Sequence, residues 1–521
     1  MGTTARLDDC LSTRDGHLYV EECDTVALVE RFGSPLFVIS EDQLRRNVRR
    51  FRDAFQQGWP DGPVKVMPAA KANWVTAAQR VLADEGCGCD VYSPGELSVA
   101  LAAGFEPRFI SVNGVPKEPA QIRRAVQHGA RITIDSVEEL DHIAAAASEL
   151  GTVARVRLRL KPALSGFIEP SQFVPEGLVP TDIVALAYKG GLSFDEAKDL
   201  GLRIRALTNV ELVGFHQHHG RHVRGLAYWE EQMRAYAREL GRICRALGGY
   251  QPEEIDIGGG FAIPRDPHNA ATDYTAPLQL GFIHLLSKGL SLLGPERRYG
   301  VLARIIDTLS AKPNAVAAPS IEAYAETCTR TLREELPKHG IRTQGLMLQL
   351  EPGRSIHGDA GVHLATVRGI KRMRSPIRWN LVALDTTEFW MTGGRYEHHL
   401  HDYRIANKTD LAYVDRVDVV GRSCYGDRLM PTMAVPGLEV GDLFAFLDAG
   451  AYQEVSASNF NALPRPAAVL VRGSEAFVVR TRETEADVFR RDQVPDHLQR
   501  RDAPSSRPTG ADTSRRSSAR S

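Results

Sequence analysis

Short apolar, β-branched runs alternate with longer amphipathic stretches from about residue 60 to 355. The runs are VKVMPAA (64–70), CDVYS (89–93), FISVNG (109–114), RITIDS (131–136), ARVRLRL (154–160), LVGFHQHH (212–219), EIDIGGG (254–260) and LMLQLEP (346–352). Between most of them lie segments such as TAAQRVLADEG, GELSVALAAG and VEELDHIAAAASELG, with apolar residues at i, i+3, i+4 and a glycine near the stop. Strand–helix alternation over eight strands predicts an α/β fold, a (β/α)8 TIM barrel.

Two connections are long for such a barrel. About fifty residues separate the fifth and sixth runs, with Pro and Gly punctuation (KPALSGFIEPSQFVPEGLVP), and about eighty-five separate the seventh and eighth. The second gap carries the apolar stretches LQLGFIHLLSKGLSLLG and VLARIIDTLS. Residues 265–320 read as an insertion, either a lid or interface or a longer packing helix. After residue 360 the helical period stops. HLATVRGI, WNLVALDTT, YVDRVDVVG, LFAFLDAGAY and the hairpin AAVLVRGSEAFVVR predict a second, mostly β domain of barrel or sandwich type. The expected layout is an N-terminal segment, 1–34, that joins the β domain; a barrel over 35–358; the β domain over 359–490; and a disordered, basic, Ser/Pro-rich tail over 497–521.

Composition narrows the function classes. With 521 residues, 43% hydrophobic and 25% charged, the chain is neither disordered nor fibrous. A net charge of −1 gives no reason to expect nucleic acid or an anionic membrane. No apolar run is long enough to span a bilayer and the first residues carry no signal-peptide core, so a cytoplasmic location is expected. Seven cysteines, an odd number, read as reduced thiols. Eleven lysines against 53 arginines make a lysine behind an apolar strand conspicuous.

Barrel enzymes carry their chemistry at the C-terminal ends of the strands. The unusual polar residues fall there: Lys71 after the first run, Asp90 and Ser93 after the second, Asn113 after the third and Asp135 after the fourth. His216, His218 and His219 follow the sixth, Gly258, Gly259 and Gly260 the seventh, and Glu351 and Arg354 the eighth. A lysine leaving a buried strand is expected to be desolvated, with a lowered pKa and the nucleophilic amine that a Schiff base requires; a rim ion pair is the other reading. Three glycines let backbone amides approach a phosphate, with Arg354 adding charge, although a tight turn also explains them. His216 and His218, two apart on a strand, suit a metal pair or an imidazole face against a flat ring; no carboxylate or cysteine lies near them in sequence, and no metal is expected. If the cofactor is a pyridine, Glu351 at its nitrogen keeps the ring protonated, the strong electron sink that decarboxylation needs.

These motifs, in this order, resemble the fold-type III pyridoxal-phosphate decarboxylases, the group of diaminopimelate and eukaryotic-type ornithine decarboxylases, over about residues 17–485. GSPLFVIS (33–40), AAKAN (69–73), GCDVYSPGEL (88–97), GFHQHHG (214–220), DIGGGF (256–261) and EPGRSI (351–356) resemble the barrel motifs. SCYGD (423–427) resembles the family's CESGD, and GAY (450–452) its GAY segment. The resemblance implies an alanine racemase-like barrel with pyridoxal 5'-phosphate on Lys71. His218 would stack on the ring, and Gly258, Gly259, Gly260, Arg354 and Tyr452 would hold the phosphate. Glu351 would pair with the ring nitrogen, and Asp90 would belong to the cofactor site. Cys424, delivered from a second subunit, would reprotonate the α-carbon, so a homodimer with shared sites is implied.

Three departures bear on the substrate. Arg221 stands where the family has a phosphate-binding serine. Tyr425 replaces the acidic residue that meets the substrate's distal ammonium, and GGRYEHHLHDYR (393–404) offers Arg395 and Tyr396 in place of the family's distal segment. The long insertion is the third. With Arg354, Arg395, Tyr396, Tyr425 and Tyr452 as substrate-binding candidates, a substrate other than diaminopimelate is expected, its far end neutral or anionic. An amino-acid racemase or epimerase of the same fold and a non-catalytic pyridoxal-phosphate binder are the alternatives; Glu351 weighs against the first and the attached β domain against the second.

Overall fold

The computed structural model describes residues 7–161, 189–218, 224–263, 318–375, 379–392 and 401–498, with 294, 297 and 301 between them. Most of the expected insertion, most of the expected tail, Arg221, His219, Arg395 and Tyr396 lie outside the described residues.

All eight apolar runs form strands. Val64–Val66, Cys89–Val91, Ile110–Val112, Arg131–Ile134, Ala154–Arg159, Val210–His216, Glu254–Asp256 and Met347–Leu350 make one parallel sheet. From the second strand to the eighth each pairs with the next in sequence, and the eighth pairs with the first. The ring closes between the first and second strands through the Ala69–Asp90 bridge, where the Asp90 N–H donates to the Pro68 carbonyl at 3.2 Å. Strand one is shorter than the sequence suggests. It stops at Val66, and Lys71 sits beyond it in a 3-10 turn, Ala70–Ala72.

The helices start and stop where local chemistry directs. Ser93 accepts a hydrogen bond from the Glu96 N–H at 3.1 Å and Gly104 ends that helix in the left-handed region, so Ser93 acts as a cap. Outside the barrel, helix Ile321–Lys338 packs on both Glu41–Gly58 and Leu226–Ala246. Their shared core is aromatic. Phe261 stacks on Trp229 at 4.6 Å and meets Phe51, Phe55 and Tyr324 edge-on at 5.4–5.7 Å.

The second domain is built on a nine-stranded sheet. Leu36–Ser40, buried along its whole length, lies antiparallel to Gly361–Met373 and parallel to Ala467–Arg472. The barrel edge drawn at residue 35 therefore moves to Ser40, because a short, mostly apolar run does not reveal its partner strand. One face of this sheet packs with Leu11, Leu18 and Val20 of the N-terminal segment; the other encloses Phe37, Val367, Val382 and Phe444. Among the described residues no helix is long and apolar enough to cross a membrane.

Phe261 links the helix core to the glycine loop directly before it. Phe261→Ala is expected to lower stability by about 3–5 kcal/mol in urea unfolding, and a loss under about 1 kcal/mol would show that the cluster repacks.

Candidate active site

Lys71 is open to solvent yet surrounded deeply by protein, so it stands at the floor of a well and not on a convex face. Burial is the largest influence on its amine and acts downward. Asp90, then Tyr452 and Glu351, act upward and prevail, so the amine lies above its ordinary range. This corrects the expectation of a lowered pKa: carboxylates face the amine, and desolvation alone does not decide its charge.

Glu351 is the most constrained group at the rim. One oxygen accepts the Asn113 side-chain N–H at 2.7 Å and the other meets His216 Nε2 at 3.1 Å. Asn113 donates equally to Asp90 at 2.7 Å, which joins the two carboxylates. Burial, then repulsion from Glu351, pushes Asp90 well above the usual carboxylate range, with Lys71 pulling the other way. Burial holds His216 well below its ordinary pKa, so its imidazole is neutral beside Glu351.

The glycine loop abuts this centre. The Glu351 N–H donates to the Gly258 carbonyl at 2.9 Å. Gly258 has φ +72°, and a Cβ there would meet the Gln217 carbonyl oxygen at 2.5 Å, so no side chain is tolerated. The Gly258 N–H donates to Asp256 and the Gly259 N–H to His218 Nδ1, at 2.8 and 3.1 Å. The β domain reaches the same rim. Tyr452 (φ +65°) donates its N–H to the Ala72 carbonyl at 2.7 Å, and Arg354 lies 5.0 Å from its ring centre. Lys71, Asp90, His218, Gly258–Gly260, Glu351, Arg354 and Tyr452 thus form one continuous rim.

Cys424 and Tyr425 belong to a different group. Cys424 is exposed; its N–H donates to Asn461 Oδ1 at 2.8 Å and its sulfur accepts the Asn461 N–H at 3.1 Å. Tyr425 meets Phe389 edge-on at 5.9 Å, and Phe389 stacks on Phe460 at 4.1 Å. Buried Asp427 clamps the loop, accepting the Ser423 and Glu388 N–H groups at 2.7 Å each. Asn461 escaped the sequence reading because nothing in SNFNALPRP sets its contact apart.

His216, Asp256 and Glu351 come close enough together to share a metal ion. The Arg157 guanidinium, however, lies 2.7 Å from Asp256 and 3.8 Å from Glu351, supplying positive charge that an ion would bring. The paired histidines of the sequence divide: His216 faces Glu351, while His218 lies on Gly259. The donor set fits pyridoxal phosphate better: a reachable lysine in a polar well, a clamped carboxylate, and an imidazole over a glycine turn.

Comparison with known proteins agrees. Residues 41–280 match the family model described as pyridoxal-dependent decarboxylase, pyridoxal binding domain. The chain is 29% identical to a diaminopimelate decarboxylase of Methanothermobacter thermautotrophicus, covering 93% of this chain and 98% of the relative. It is 30% identical to one of Actinosynnema pretiosum, covering 92% and 93%. It superposes on the crystal structure of the Methanocaldococcus jannaschii diaminopimelate decarboxylase in complex with L-lysine with a TM-score of 0.78, at 27% identity over 95% of this chain and 100% of that one.

Neutral His216 also makes the fold acid-sensitive. Below about pH 6.5 the unfolded chain protonates this histidine while the folded chain resists, so stability falls as pH falls. The His216→Gln variant is expected to lose stability less steeply between pH 6.5 and 5 in urea unfolding, by up to about 1.4 kcal/mol per pH unit; an unchanged slope would mean that His216 is already charged.

Proposed function

Because the chain belongs to the pyridoxal-phosphate-dependent decarboxylases of fold type III, we propose that it removes the α-carboxylate of a diaminopimelate-type amino acid. The observation that carries this reading is the clamped Glu351 carboxylate facing the same well as Lys71. When bound, pyridoxal phosphate supplies an aldehyde for an amine and a ring that accepts the electron pair left by carbon dioxide. In this reading Lys71 offers its amine to that aldehyde. Glu351 holds a proton at the ring nitrogen, oriented by Asn113 and by neutral His216. His218 would pack on the ring face, and Gly260, Arg354 and Tyr452 would hold the phosphate. Cys424 of a second copy returns the proton to the α-carbon, so the working unit is a homodimer.

The end-to-end match to relatives named diaminopimelate decarboxylase supports diaminopimelate as the first substrate to test. One observation favours a second reading. Tyr425 stands beside Cys424, edge-on to Phe389 of the Phe389–Phe460 stack, and brings no carboxylate to pair with a distal ammonium. A racemase outcome is disfavoured by Glu351, since a racemase can work with a weaker electron sink.

Purified protein is expected to release carbon dioxide from diaminopimelate. Release confined to amino acids with a neutral or anionic far end would select the second reading, and racemisation with the carboxyl retained would overturn decarboxylation. Lys71→Ala is expected to abolish the visible absorbance of the bound cofactor. If sites are shared, mixing the inactive Lys71→Ala and Cys424→Ala proteins restores about a quarter of wild-type activity; no recovery would place Cys424 in its own chain's site.

A further inference from the structure

The interior of a (β/α)8 barrel is ordinarily filled by branched apolar side chains. Here the middle of the barrel is polar, and Arg157 of the fifth strand is its hub. The guanidinium is fully buried. It donates to Asp256 at 2.7 Å, to Gln349 at 2.8 Å, to Thr133 at 3.1 Å and to Ser111. Ser111 donates to Asn113 at 3.1 Å, and Asn113 donates to Glu351. Below, Glu254 lies 3.9 Å from Arg157 and pairs with Arg131.

A buried ion pair of this kind is weak evidence for stability, because apolar replacements of similar volume are often neutral or stabilising. Its placement suggests another role. Arg157 is fully buried, and it reaches Glu351 twice: by charge at 3.8 Å, and through the Ser111–Asn113 relay.

We propose that Arg157 is a positioning residue that sets, from beneath, the orientation and charge surroundings of the Glu351 carboxylate, and through it the proton held at the cofactor ring. This rests on the decarboxylase reading above. The groups facing Glu351 are Lys71 from the turn after strand one, Asp90 and Asn113 from strands two and three, Arg157 from strand five, His216 from strand six and Asp256 from strand seven. Arg159 of strand five and Asp135 of strand four pair with each other at 3.2 Å beside them. Arg157 keeps its own charge: burial opposes it, but Asp256, Glu254 and Glu351 outweigh burial.

The test is the pH titration of the bound cofactor's visible absorbance, read without turnover. Arg157→Met removes a cation, which favours the protonated chromophore and raises its apparent pKa by about one unit. Asp256→Asn removes an anion and lowers it; this is read above pH 6, since burial and Glu351 push Asp256 up to about 6. Opposite signs from two substitutions in one contact pair are not expected of simple loosening. Arg157→Met is also expected to lower kcat about tenfold with KM within about threefold, and Arg157→Lys to restore the absorbance titration. Shifts of the same sign, or none in either variant, overturn the proposal. If Arg157→Met does not fold, Asp256→Asn and Arg157→Lys decide: a downward shift in the first with none in the second supports it, and no shift in Asp256→Asn overturns it. A wild-type protein that binds no pyridoxal phosphate would instead sink the decarboxylase reading itself.

Discussion

Charge balance inside a closed barrel is the condition on which the site rests. Asp90, Asp135, Glu254, Asp256 and Glu351 are all buried within one ring of strands. Carboxylates so placed repel one another and tend to protonate unless cations meet them. Arg131 faces Glu254, Arg157 faces Asp256, Arg159 faces Asp135 and Lys71 faces Asp90. Glu351 is held differently, by an amide and by a histidine that burial keeps neutral, with the Arg157 guanidinium 3.8 Å away. Of the rim carboxylates it is the one best prepared to receive a cation from a ligand, and a protonated ring nitrogen has that character.

Holding the balance at the rim depends on the second domain as much as on the barrel. The Lys71 turn is stitched to it at two points: Tyr452 donates to the Ala72 carbonyl, and Asn73 donates to the Gly450 carbonyl at 2.9 Å. Gly353 fits beneath Tyr452 because a Cβ there would meet the phenol oxygen at 2.9 Å. Lys71 therefore takes its position from two domains at once, and its electrostatic surroundings include the phenol of the second.

Much of this was legible in the chain. Eight apolar runs announced eight strands, and every rim residue that the strand ends suggested, where described, lies at or near the rim. The motif order carried the family. What escaped notice was long-range. Arg157 sits in ARVRLRL, where alternation suggests solvent-facing arginines, and only the closed ring turns that face inward. The Lys71 pKa was misjudged because the sequence displays a lysine behind an apolar strand but not the carboxylates that fold over it. Asp256 was hidden in a glycine motif whose turn it caps through the Gly258 N–H. Leu36–Ser40 reads as the first strand of whatever follows it, and its partners begin more than three hundred residues later.

That strand imposes an order on synthesis. Leu36–Ser40 leaves the ribosome before any of the barrel, yet both of its neighbours, Gly361–Met373 and Ala467–Arg472, come after it. At about 5–20 residues per second, roughly 20–85 s pass before the second neighbour exists. Through that interval a five-residue strand with four apolar residues has no completed sheet to enter, while the barrel can close around its own local contacts. The nascent chain therefore carries a barrel whose Lys71 turn still lacks its Gly450 and Tyr452 contacts, and its exposure to wrong strand partners ends only when the C-terminal hairpin emerges.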